Sequence, residues 1–155
     1  MADVPVLDVT PTDGALRYDE GIHVGYRAWL RSGTAPAFPF GHGLGYTAWS
    51  WDAAERDGDE LVVRVTNTGQ RPGRQVVQVY AERADSSVER PARWLVGFQA
   101  VEAGPGESVE ARIAVPLRRL AHWDGAWVTE AGDYTLLAGA SVVETPLTTV
   151  WTVPA

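Results

Sequence analysis

The sequence contains no cysteine and no lysine, and its single methionine is the first residue. Without cysteine there is no disulfide, no thiolate metal ligand and no cysteine nucleophile, and the redox compartment stays undetermined. All thirteen basic residues are arginine, set against twenty acidic residues for a net charge of -7. The longest basic cluster is Arg118-Arg119. A polyanionic partner such as nucleic acid is therefore not expected. No apolar run reaches the roughly 18 residues that cross a membrane as a helix, so no membrane partner is expected. The opening "MADVPVLDVTPTDG" lacks the basic-then-apolar order of a secretion signal, and cellular location stays open. Nor does any segment carry a convincing amphipathic helical period.

What is present is alternation. A chain of 155 residues that is 45% hydrophobic is long enough for one ordinary domain with an extension. From Tyr46 onward, short alternating segments are separated by turn residues, the pattern of an all-β antiparallel protein. In "ELVVRVTN", Leu61, Val63 and Val65 share one face. In "RQVVQVYAE", Val77 and Val79 oppose Val76, Gln78 and Tyr80. Val109, Ala111, Ile113 and Val115 alternate with Glu110, Arg112 and Ala114 over the longest clean run. "TEAGDYTLLAGAS" and "VVETPLTTVWTV" complete about seven strands, the number expected of a sandwich or barrel.

Residues 1–45 read differently. They hold prolines at 5, 11, 36 and 39 and one short strand candidate, "GIHVGYRAWL". So long a segment without its own core is either a mobile tail or an arm that packs on a surface outside the chain. Residues 1 to about 40 are accordingly expected to be poorly packed in the isolated chain. The arm leads into "PFGHGLGYT", which raises three possibilities: a phosphate-cradling loop, a catalytic histidine on a loop, or a hinge. Glycines at 41, 43 and 45 do not match GxGxxG, and a strand follows where a helix is needed, so they read as turn geometry. His42 has no visible nucleophile setting and is expected to satisfy a local hydrogen bond. His23, His42 and His122 lack metal-ligand spacing, so neither a metal nor a cofactor is expected.

Three more groups carry candidate chemistry. Asp19 and Glu20 are paired carboxylates of the kind that hydrolyse glycosides, but neighbours on a strand point to opposite faces, which favours a turn and ion-pair role. "DAAERDGDE" sets Asp57, Asp59 and Glu60 around Gly58; it lacks EF-hand spacing and reads as a solvated hairpin turn. Trp94, Trp123, Trp127 and Trp151 fit a core or interface better than a sugar-stacking face, and the sequence does not say which of them are exposed.

"YDEGIHVGYRAW" followed by "PAFPFGHGLGYTAWSW" resembles the segment that joins the second domain of glycoside hydrolase family 3 enzymes to their C-terminal fibronectin type III-like domain. "VTNTGQRPGRQVVQVY", "RPARWLVGFQAVEAGPGESVEARIAV", "LAHWD" and "GDYTLLAGAS" resemble that domain's successive strands, so the likeness covers about residues 16–155. It implies an immunoglobulin-like β-sandwich over residues 46–155 behind an irregular arm, residues 1–45, that forms the tail of the family's α/β sandwich domain. It also implies that the catalytic aspartate and glutamate lie in domains upstream of the matched segment, so Glu20 does not inherit the acid/base role. Glu20, Gly21, Gly25, Tyr26 and Arg27 then become interdomain residues, and Phe40, Gly41, His42, Gly43 and Tyr46 a hinge. The expected function is a non-catalytic accessory domain of a β-glucosidase-like enzyme, partnered by the catalytic domains and derived from a longer protein. An independent carbohydrate-binding module and one half of a split hydrolase are the alternatives. A homodimer contact and a weak carbohydrate contact stay open.

Overall fold

Leu61, Val63 and Val65 are almost completely shielded from solvent, as their alternation requires, and they face Val77 and Val79 across the centre of the protein. A computed structural model describes residues 10–155. Nine strands follow one helix: α1 (Tyr26–Ser32), β1 (Trp49–Asp57), β2 (Glu60–Asn67), β3 (Gly73–Glu82), β4 (Trp94–Ala103), β5 (Ser108–Ala114), β6 (His122–Trp123), β7 (Trp127–Val128), β8 (Gly132–Gly139) and β9 (Leu147–Val153). Seven of them make two antiparallel sheets, in the orders β1-β2-β5 and β4-β3-β8-β9. β6 and β7 form a separate small hairpin. The expected all-β immunoglobulin-like sandwich is present, its core filled from both sheets by Leu61, Val79, Ile113, Leu136 and Trp151 among others.

Two local features fasten the sandwich. Asn67 is fully buried and uses its whole amide: Thr47 Oγ1 and the Gly69 amide donate to its Oδ1, while its Nδ2 donates to the carbonyls of Arg71 and Ala103. It thereby joins the entry to β1, the β2–β3 turn and the end of β4. The Tyr134 hydroxyl donates to the carbonyl of Glu130 four residues upstream, the corner by which immunoglobulin-type sandwiches start a central strand. At Gly97 the two sheets approach so closely that a Cβ would collide with Ile113, so β4 requires glycine there.

One expectation fails. "GIHVGYRAWL" does not form a strand: Tyr26–Ser32 is α1, ended by Gly33 in the left-handed conformation with its amide on the carbonyl of Leu30. Tyr26, Trp29 and Leu30 follow helical spacing, and Ala28, Leu30 and the two arginines favour a helix. An isolated strand here would also leave its backbone without a ladder partner. By contrast, "DAAERDGDE" is the expected hairpin turn, joining β1 to β2.

Candidate functional site: the arm and the faces it leaves open

The second face of β3 explains the arm. Gln78 and Tyr80 alternate with Val77 and Val79 and so point away from the core, yet they are buried too. The arm covers them. The Tyr26 ring stacks on Phe40 at 4.6 Å and meets the edge of Tyr80 at 6.4 Å. The Tyr26 hydroxyl accepts the Leu95 amide of edge strand β4 at 2.9 Å. Phe40 accepts the Val142 amide through its carbonyl, and Gly41 accepts Gln78 Nε2 at 3.2 Å. Tyr80 in turn donates to Gln78 Oε1. Burial pushes the Tyr80 phenol well above its ordinary range; nearby Tyr26 adds to this and Arg93 opposes it. Tyr80 therefore stays a neutral donor.

Gly41 has a left-handed φ of 87°, and a Cβ there would overlap the Gln78 amide. Gly43 has open space around its α-carbon and is not required in this way. The His42 ring, expected to satisfy a local hydrogen bond, makes none among the described residues and lies 5.4 Å from the ring of Phe38, while its backbone amide donates to the carbonyl of Pro39. His23 is the buried residue of the described arm, and its Nε2 sits 2.8 Å from Glu89 Oε1. The arm is thus held at His23, Tyr26, Phe40 and Gly41, which is more attachment than poor packing implies. Its residues before Thr10 lie outside the described residues.

Pinned as it is, the arm and its junction with the sandwich still turn large apolar groups outward. Tyr18, Phe38, Leu44 and Tyr46 are each more than 70% exposed. Tyr46 also holds a φ of 55°, rare for a residue with a side chain, and its side chain makes no hydrogen bond or ring contact among the described residues. Between α1 and Pro36–Phe40 lies an apolar concavity of about 550 Å3, lined by Tyr26, Trp29, Leu30, Phe38 and Val142. Glu20 is at a turn, its carbonyl accepting the His23 amide. Arg27 points back to the carbonyl of Ile22 at 3.5 Å. Gly25, at φ 57°, immediately precedes α1.

The remaining candidates resolve into structural roles. Asp19 pairs with Arg17 at 3.4 Å on the surface. Asp57 and Glu60 both accept Arg112 Nη1, at 3.0 and 2.9 Å. His122 Nδ1 lies 3.1 Å from Arg90 Nη2, one residue along from the Glu89 that meets His23. No group of three metal-binding side chains exists among the described residues, and no helix among them is long and apolar enough to cross a membrane. Trp94 and Trp151 are core residues, whereas Trp123 and Trp127 are open to solvent.

Sequence reasoning did not foresee the cluster around Glu130. Its carboxylate receives Ser86 Oγ, the Ser87 amide and hydroxyl, and Arg90 Nη2, all within 2.8 Å. Burial works against its ionisation, but these donors outweigh burial and hold the carboxyl far below the usual range. Arg90 also donates to the carbonyl of Leu120, tying the β3–β4 loop to the segment before β6. The contributing residues are scattered over more than forty positions, and no short motif announces them.

The sequence pattern of the fibronectin type III-like domain matches residues 75–142. Those residues form a fibronectin type III-like domain within the sandwich. The chain is 39% identical over 142 residues to a β-glucosidase of Rhizobium radiobacter, covering 85% of itself and 17% of that protein. It superposes on a glycoside hydrolase family 3 β-glucosidase of Bifidobacterium adolescentis with a TM-score of 0.90 and 31% identity, covering 98% of itself and 24% of that chain. β-Glucosidase 3B of Thermotoga neapolitana, solved with α-D-glucose, gives 0.86 and 35%, covering 99% and 23%. The chain thus spans about a fifth of the length of the curated relatives it matches. It is homologous to one part of family 3 β-glucosidases.

Proposed function

We propose that this chain is the non-catalytic accessory domain of a β-glucosidase-like glycoside hydrolase, one that braces the catalytic domains through its arm. The observation that carries the reading is the arm itself: anchored to the sandwich on one side, it presents Tyr18, Phe38, Leu44 and Tyr46 on the other. Exposed apolar groups on a held backbone suit a protein surface, because little ordering entropy opposes their burial. In this reading residues 1–45 belong with the preceding catalytic domain and residues 46–155 form the sandwich. Glu20, Gly25, Tyr26 and Arg27 lie at the interdomain boundary, and Phe40, Gly41, His42, Gly43 and Tyr46 turn the chain into β1. The acid pair that cleaves terminal β-glycosidic bonds is supplied by the partner domains.

The test is complementation. The Rhizobium radiobacter relative, expressed without the matched segment, is assayed on an aryl β-glucoside with and without this chain. The expected outcome is no turnover by the chain alone and restored turnover or thermal resistance in the mixture. Hydrolysis by the chain alone, or a truncated relative indifferent to its loss, would overturn the proposal.

A further inference from the structure

Trp123 and Trp127 stand 64% and 52% exposed, with ring centroids 5.5 Å apart and planes at 74°. The short turn between β6 and β7 holds them, closed by the Asp124 amide on the carbonyl of Ala126. The Arg118 guanidinium lies 4.7 Å from the Trp127 ring and restrains it. The pair borders a concavity of about 1090 Å3 that also takes in Arg27, Glu89 and Trp94. Arg90 and Glu130 brace this region from beneath, so the aromatic pair is set on a fixed base.

The polar groups beside the rings decide what kind of ligand fits. The side chains of Asp124, Arg118 and Arg119 make no hydrogen bond or ion pair among the described residues. The core of a protein–protein interface is depleted of charged groups, and leaving these three desolvated without partners would oppose such burial. A hydroxyl-rich ligand reverses that balance: it accepts from the guanidinium groups, donates to the carboxylate and brings no charge of its own. The apolar C–H face of a pyranose covers an indole ring, while its hydroxyl rim reaches the surrounding polar groups. Arginines and carboxylates both line the concavity, with Glu89 meeting His23 and Arg90 meeting Glu130, so its wall offers donors and acceptors together, as a hydroxyl-rich ligand requires.

We infer that the Trp123–Trp127 concavity is a glycan-binding site of this domain, taking a neutral oligosaccharide with one pyranose against the indole pair and its hydroxyls on Asp124 and Arg118. The choice of a β-linked glucan rests on the proposed function; the site does not.

Isothermal titration calorimetry of the full chain with cellohexaose tests it, with maltohexaose as the α-linked control. The expected result is saturable binding of cellohexaose that Trp123→Ala weakens by about tenfold or more, and Asp124→Asn by several-fold. Circular dichroism and Tm report whether each variant keeps the fold. Absence of binding up to about 10 mM, or unchanged affinity in folded Trp123→Ala and Asp124→Asn, would overturn the site. Equal binding of maltohexaose would overturn the β-linked assignment. If Trp123→Ala impairs complementation while no glycan binds, the hairpin is a protein contact and this inference fails, though the accessory role stands. Glycan binding by a chain that fails complementation would uphold the site and overturn the accessory role.

Discussion

The two outward faces of the sandwich have opposite character. On the three-stranded sheet, Arg64 pairs with Glu110 at 3.0 Å across β2 and β5, and Arg112 bridges Asp57 and Glu60. Beside them Thr66 and Ser50 hydrogen-bond Asp52 and hold its carboxyl below the usual range. These are cross-strand pairs of an open, wetted sheet. On the four-stranded sheet the corresponding positions are Gln78 and Tyr80, roofed by Tyr26, Phe40 and Gly41. The roof then presents its own aromatic groups outward. One face finishes in water, and the other continues into a surface suited to burial, the side that the proposed function assigns to a partner.

The same contrast orders the effects of substitution. Glu130 and Arg90 have side chains only 11% and 8% exposed, whereas Arg64 and Glu110 are about half exposed. Glu130→Ala strands Arg90 and the Ser86–Ser87 turn, so a loss of about 3 kcal/mol is expected, or roughly 10 °C in Tm by calorimetry. The substitution also alters acid unfolding. Because the folded state lowers the Glu130 pKa, the unfolded chain takes up the proton first. Its contribution is complete above the ordinary carboxylate range near pH ~4.3 and is lost as pH falls toward the lowered value. Glu130→Ala should flatten that acid limb in a pH series of Tm.

Gly41→Ala comes next, at about 2 kcal/mol, since it combines a left-handed backbone with overlap on Gln78; denaturant unfolding should show it, with faster amide exchange at Val142. Tyr26→Phe removes the acceptor for the Leu95 amide and should cost about 1 kcal/mol, read as faster exchange at Leu95. Arg64→Ala should leave Tm within scan-to-scan error, because an exposed pair gains little over its hydration. If Arg64→Ala proved as damaging as Glu130→Ala, the distinction between the exposed and the buried ion pairs would collapse.

How far these faces are legible in sequence follows from which interactions are periodic. Leu61, Val63, Val65, Ala111 and Ile113 point inward as their alternation requires, because a half-buried strand has a period of two. Trp151 keeps that period with Val153 and is buried. Trp123 and Trp127 sit in two-residue strands too short to establish a period, so their exposure is invisible in sequence. The helix at Tyr26–Ser32 spans only 7 residues, too few for Tyr26, Trp29 and Leu30 to establish a helical period against the competing alternation of Ile22, Val24 and Tyr26. Burial of Gln78 and Tyr80 depends on an arm nearly forty residues upstream, and Glu130 on donors in a distant loop. Such long-range satisfaction of polar groups has no local pattern, although a Gln and a Tyr interleaved with core valines hint that something covers the second face. Of the glycines at 41, 43 and 45, the structure shows which one the backbone demands: Gly41, at the contact with Gln78.

The proposed function makes the arm side of the sandwich the docking face. Hydroxyl-radical footprinting of this chain, alone and mixed with the Rhizobium radiobacter relative lacking the matched segment, tests it most directly. The account predicts protection at Tyr18, Phe38, Leu44 and Tyr46 in the mixture, with peptides covering Arg64 and Arg112 unchanged. Protection over the Arg64–Arg112 face with those four residues still reactive would overturn it.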